Sequence, residues 1–133
     1  MAEELTTEQV RELEQQLRDR REYLRGEIRD ELQRMENEHY SDLAGNVHDS
    51  GDESVADMLS DLQYGIVDRQ VEEMRAIEAS LQRIREGRYG HCQVCDEPIE
   101  VARLKAQPTA TRCLEHQAEY ERNHEGAGAP GNL

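Results

Sequence analysis

The first proline in this chain is Pro98, and ahead of it apolar residues return at helical spacing. Val10, Leu13, Leu17, Leu24, Ile28, Leu32 and Met35 recur at intervals of three, four and seven, which is the stripe of an amphipathic helix with a coiled-coil-like seam. Thr6 or Thr7 can cap its start and Glu8 supports its first turn. The spacing drifts where Arg20 and Arg21 stand in for an apolar residue, and Gly26 weakens the middle slightly. A second stripe comprises Val55, Leu59, Leu62, Ile66, Met74, Ile77, Leu81 and Ile84. It breaks register between Ile66 and Met74, as a stutter would. Between the stripes the pattern loosens over residues 41–54, where Gly45, Asn46 and Gly51 supply turn chemistry.

Two helices of similar length joined by a short loop fold back antiparallel and bury their stripes on each other. The expected fold class is therefore mainly α. A long antiparallel coiled-coil hairpin fills residues 1–87 with an acidic tip at 41–54, and a small module with a short C-terminal helix follows at 88–123. Residues 124–133, rich in Gly and Ala, are expected to be a disordered tail. Composition agrees, because Trp and Phe are absent and the apolar share of 35% only equals the charged share. A thick globular core cannot be filled from such a chain, whereas long helices with a narrow seam can.

Charge narrows the partners. Thirty acids against 16 Lys and Arg leave a formal charge of -14, which repels a phosphate backbone and anionic lipid alike. No apolar run approaches the roughly 20 residues of a membrane span, and the N-terminus lacks the pattern of a signal peptide. A cytoplasmic protein with protein or metal partners is expected, without a membrane and without sequence-specific DNA binding of its own.

The module carries the chemistry. Cys92 and Cys95 form C-x-x-C, and Cys113 and His116 form C-x-x-H after an intervening 17 residues. Two close pairs of soft or borderline ligands across such a loop suit tetrahedral zinc. A Cys3His set leaves no position for a substrate water, so the zinc is structural and holds a module too small for its own core. A redox C-x-x-C is the alternative, but the βαβ context it needs is missing. His91 is a rival fourth ligand, and its adjacency to Cys92 makes joint ligation awkward. No nucleophile and base come together elsewhere, so no enzymatic activity is expected.

The segment GRYGHCQVCDEPIEVARLKAQPTATRC resembles the zinc finger of the DksA/TraR family of bacterial transcription regulators. The shared features are G-x-Y-G-x-C, C-x-x-C-x17-C, I-x-x-x-R-L-x-A at residues 99–106, and P-T-A ahead of the third ligand. His116 departs from the family's usual four cysteines while keeping a zinc ligand. The resemblance implies a protein that binds RNA polymerase. It would insert its coiled-coil tip through the secondary channel toward the active centre, altering open-complex stability. The family's tip motif D-x-x-D-x-A falls on Asp49, Asp52 and Ser54. Both aspartates match, while Ser54 replaces the alanine and is a natural N-cap for the second helix. Basic positions that help longer members bind guanosine tetraphosphate fall on Ala76, Gln107 and Gln117, none of which pairs with phosphate. The resemblance thus implies polymerase binding without strong alarmone synergy.

The tip has a charge signature of its own: residues 35–68 contain nine Asp and Glu and no Lys or Arg. An acidic tip can be steered by basic channel walls and can contact metal ions or basic side chains. Asp49 and Asp52 are the expected functional contacts. Two rival functions share parts of this pattern. A transcript-cleavage stimulating factor also presents tip acids, to hold a second magnesium ion for water attack, and a structural coiled-coil adaptor would carry an inert tip.

Overall fold

The computed structural model describes residues 3–43 and 50–125. Four helices run through them: α1 (Thr7–Leu43), α2 (Ser50–Arg85), α3 (Val101–Ala106) and α4 (Leu114–Glu125). The chain divides into two compact units, one of Met1–Leu17 with Ile77–Leu133 and the other of Arg18–Ala76. The mainly α expectation is borne out.

Thr6 caps α1 through a reciprocal pair. The Gln9 backbone N–H donates to Thr6 Oγ1 at 3.1 Å and the Thr6 N–H donates to Gln9 Oε1 at 2.9 Å, a capping box that satisfies two donors at once. At its other end α2 stops at a Schellman motif. Gly87 takes φ +73, its N–H reaches Ile84 O at 3.1 Å, and the Arg88 N–H reaches Arg83 O at 2.9 Å. Arg83 and Arg85 in the last turn oppose the negative end of the helix dipole.

In the unit Arg18–Ala76, Leu24 and Val67 are buried. Arg20 makes two hydrogen bonds to Glu73, at 2.7 and 3.0 Å, and Gln63 donates to Glu38 at 3.2 Å. Partners descend along α2 as they ascend along α1, so the two helices pair antiparallel. The Arg20 contact raises the pKa of Arg20 and lowers that of Glu73.

The seam differs from the expected stripes. On α1, Leu32 is 47% exposed while the neighbouring Glu31 side chain is only 14% exposed. On α2, Leu59, Leu62 and Ile66 are exposed, and the seam instead runs Ser60, Gln63, Val67, Gln70, Met74, Ile77, Leu81 and Ile84. Those spacings alternate three and four without interruption, so the expected stutter between Ile66 and Met74 does not occur. The reason is geometric: deeply buried Ile77 and Leu81 set the phase, and a regular heptad carries that phase onward through polar positions. Hydropathy alone followed the wrong residues where the seam turns polar.

Gln70 records the cost. Its Oε1 is buried with no hydrogen-bond partner among the described residues, and such a group is destabilising by about 1–3 kcal/mol. Gln70→Leu is therefore expected to stabilise the unit by about 1 kcal/mol or more, seen as a higher thermal midpoint of helix melting.

The tip boundaries also differ. Helix extends to Leu43 and resumes at Ser50, so Ser54 lies inside α2 and is not its N-cap. Asp52 and Glu53 fall in the opening turn of α2. Residues 44–49 lie outside the described residues, as do 126–133 of the expected tail. Within that tail, His124 and Glu125 still belong to α4. The His124 ring stacks on Tyr120 at 3.9 Å and its Nδ1–H donates to Tyr120 O at 2.8 Å, which supports the extra half-turn.

The other unit gathers the core: Leu13 and Leu17 of α1, Ile77 and Leu81 of α2, and Tyr89, Cys92, Ile99, Leu104 and Ala110. Gly90 sits among them at φ +88, and a Cβ there would lie 2.7 Å from Leu5 Cδ1. Leu5 is flexible enough to yield, but the backbone angle is not. Gly90→Ala is expected to cost about 1–3 kcal/mol in chemical denaturation, and Leu5→Ala in the same chain should not restore it, because strain at positive φ persists.

Candidate metal centre

The first knuckle is a turn pinned by backbone bonds. An antiparallel bridge joins His91 and Pro98. The Cys92 N–H donates to Glu97 O at 2.8 Å, the Asp96 N–H to Cys92 O at 2.8 Å, and the Ile99 N–H to Gly90 O at 2.7 Å. Asp96 closes the turn at φ 63, a left-handed conformation that Asp tolerates better than most residues. The second knuckle forms at a helix start. Cys113 immediately precedes α4, the Gln117 N–H donates to Cys113 O at 2.8 Å, and His116 lies in the first turn. The Gln93 N–H donates to Thr111 O at 2.8 Å and ties the two knuckles together.

Around them, three longer side chains serve as struts. The buried Tyr89 hydroxyl donates to Pro108 O at 2.7 Å, and burial raises its pKa. Arg83 reaches from α2 to donate to His91 O at 2.7 Å and Arg88 O at 3.2 Å. Arg103 of α3 donates to Arg112 O at 3.1 Å. The sequence motifs G-x-Y-G and I-x-x-x-R-L-x-A contain two of these residues, Tyr89 and Arg103. Their roles are to hold loop carbonyls, which spacing alone could not reveal.

These supports bring one donor atom each from Cys92, Cys95, Cys113 and His116 within 4.8 Å of one another. Cys113 Sγ lies 3.1 Å and Cys92 Sγ 3.8 Å from His116 Nδ1, and Cys95 Sγ lies 3.9 Å from Cys113 Sγ. Zinc–sulfur bonds of about 2.3 Å at tetrahedral angles imply sulfur–sulfur separations of about 3.8 Å. The donor set fits zinc in both chemistry and spacing. His116 presents Nδ1 to the thiols. His91 is held elsewhere, with Nε2 3.0 Å from Glu4 Oε1.

The thiols are electrostatically uneven. Burial pushes Cys92 upward, but backbone donors at Cys113, Cys95 and Val94 outweigh it and bring its pKa down to about 6. For Cys95, a backbone donor at Glu97 lowers the value, while burial and the neighbouring Cys92 and Cys113 raise it, and the net shift is upward. Crowded thiols resist becoming anionic together, and a bound dication removes that resistance. The C-x-x-C lies in a turn rather than at a helix start after a strand, so the thioredoxin-like context is absent from the described residues.

Of the expected tip residues, Asp52 and Ser54 fall in the opening turns of α2, and Asp49 lies outside the described residues. No helix among the described residues is long and apolar enough to cross a membrane.

Comparison with known proteins agrees with this geometry. The family model for the prokaryotic dksA/traR C4-type zinc finger matches residues 87–122. The RNA polymerase-binding transcription factor DksA of Caulobacter vibrioides is 37% identical over 87 residues, covering 65% of this chain and 56% of that protein. The protein of the same name from Escherichia coli K12 is 31% identical over 91 residues, covering 68% and 60%. The chain thus spans less than two thirds of the length of these curated relatives. Among solved structures, transcription factor DksA2 from Pseudomonas aeruginosa superposes with a TM-score of 0.75 at 26% identity, covering 90% of this chain and 88% of that one.

Proposed function

We propose, because this chain belongs to the DksA/TraR zinc-finger family, that it is a non-enzymatic transcription regulator that binds bacterial RNA polymerase in the cytoplasm. The observation that carries this reading is the finger, which matches the family model at residues 87–122 and brings its four donors together. Cys92, Cys95, Cys113 and His116 hold the zinc, which cross-links the two knuckles and takes no part in catalysis. On this reading the hairpin spans residues 1–87 and the finger module 88–123. The end of the hairpin bearing Asp49, Asp52 and Ser54 enters the secondary channel and alters open-complex stability.

Two relatives named as RNA polymerase-binding support the partner. The charge of -14 supports a role exercised through protein rather than through promoter DNA. Co-migration with purified core polymerase tests the binding, and competition by an established secondary-channel binder tests the route. Failure to co-migrate would leave a structural adaptor. Stimulated cleavage of backtracked RNA would instead support the cleavage-factor reading.

Guanosine tetraphosphate adds little to this regulator. Ala76 carries no polar group, and the side-chain amide of Gln117 already donates to Glu121 at 3.1 Å. Gln107 is likewise neutral, and its N–H is bonded to Arg103 O at 2.8 Å. Transcription assays with and without the alarmone should give nearly the same response to the protein, and a large alarmone-dependent gain would refute the assignment.

A further inference from the structure

Among the described residues of α2, four large aliphatic side chains lie outside the seam, in addition to Tyr64. Met58 is 57% exposed, Leu59 54%, Leu62 60% and Ile66 41%. Their spacing of one, three and four residues places them on one side of the helix over about 12 Å. Leu62 and Ile66 stand directly beside Gln63 and Val67, both of which take seam positions, so this segment turns a polar residue inward next to an outward leucine. A helix shaped only by its own stability would reverse Leu62 and Gln63, and local departures of this kind mark function.

The surroundings restrict what can cover the face. Asp57, Asp61 and Asp68 are exposed on the same stretch of α2, Glu36 and Glu38 are exposed on α1, and residues 35–68 contain no Lys or Arg. A second copy would bring the same acids against these and meet repulsion, whereas a cationic partner gains attraction before contact. Resting on the polymerase-binding reading, we infer that Met58, Leu59, Leu62 and Ile66 form a lateral docking face for a segment of RNA polymerase whose apolar side chains are bordered by Lys and Arg.

The test uses the full zinc-loaded chain, purified core polymerase, and the double variant Leu62→Gln/Ile66→Gln. Both positions are exposed and glutamine is a good helix former, so the variant should keep the wild-type circular dichroism and melting curve. Its dissociation constant for polymerase should rise about tenfold or more, in line with the apolar area of two side chains returned to water. Wild-type affinity should also fall as salt is raised. A photo-cross-linking residue at position 62 of an otherwise native chain provides a second measurement, and should attach to a Lys- or Arg-bordered polymerase segment. Equal affinity of wild type and double variant, with no cross-link from position 62, would overturn the face while leaving polymerase binding intact. Absence of wild-type binding would remove the functional reading and this inference with it. Sedimentation of the wild type as a dimer that the double variant dissolves would assign the face to self-association instead.

Discussion

Cys113→Ser is expected to release the zinc and unfold the finger. Serine is a poor zinc ligand, and three remaining donors cannot complete the tetrahedral set. Zinc binding in small fingers is worth about 10–16 kcal/mol, comparable to the whole stability of a typical domain at about 5–15 kcal/mol. The contacts that depend on the knuckles include the His91–Pro98 bridge, the Ile99 to Gly90 and Gln93 to Thr111 hydrogen bonds, the carbonyl contacts of Tyr89, Arg83 and Arg103, and the burial of Tyr89, Ile99, Leu104 and Ala110. Without the metal they hold too little apolar surface to offset the chain entropy of the loop.

Metal analysis should therefore find zinc in the wild type and almost none in the variant. Hydrogen exchange should lose protection at the Cys92 and Ile99 amides. The pairing between α1 and α2 within Arg18–Ala76 uses Leu24, Val67 and the Arg20–Glu73 contact instead, so protection should persist there. His116→Cys should keep the zinc, because it restores the four-thiolate set of the matched family model. A Cys113→Ser chain that is zinc-free yet keeps its finger amides protected would remove the structural role.

Particular residues show how far the sequence could be read. The clustering of the four candidate donors was legible because ligand chemistry and spacing are local properties, and the knuckles have little freedom to place them otherwise. The helices were legible because the absence of proline before Pro98 and the apolar recurrence both act within a few turns. The seam of α2 was not legible at Leu59, Leu62 and Ile66, since phase is set by burial at Ile77 and Leu81 and hydropathy misleads where polar residues face inward. Likewise the constraint at Gly90 is its backbone angle of φ +88, and its approach to Leu5 spans most of the chain, neither of which a sequence pattern displays. The Glu4–His91 contact is equally remote in sequence, and no spacing rule points to it.

On the proposed polymerase-binding reading, Asp52→Asn is expected to abolish the effect on transcription while leaving polymerase binding unchanged. Asparagine keeps the size of the side chain and removes its charge. Asp52 lies in the first turn of α2, where an acid favours the helix by about 0.3–1 kcal/mol, so the fold loses little. A carboxylate that contacts a metal ion or basic side chain near the polymerase active centre is worth more. Charge-assisted hydrogen bonds contribute about 1.5–3 kcal/mol, or roughly tenfold to more than a hundredfold in the population they stabilise. On the proposed reading affinity should be retained, because the lateral face inferred on α2 lies outside the substitution. The decisive comparison pairs a binding competition with a transcription assay on the same preparations. A helix-cap role would lower the melting temperature slightly and leave transcription intact, whereas a contact at the active centre does the reverse. Ser54→Ala provides the complementary arm: it restores the alanine of D-x-x-D-x-A and improves helix propensity, so it should leave the transcriptional effect at least at the wild-type level. Wild-type activity in Asp52→Asn would take this acid out of the mechanism.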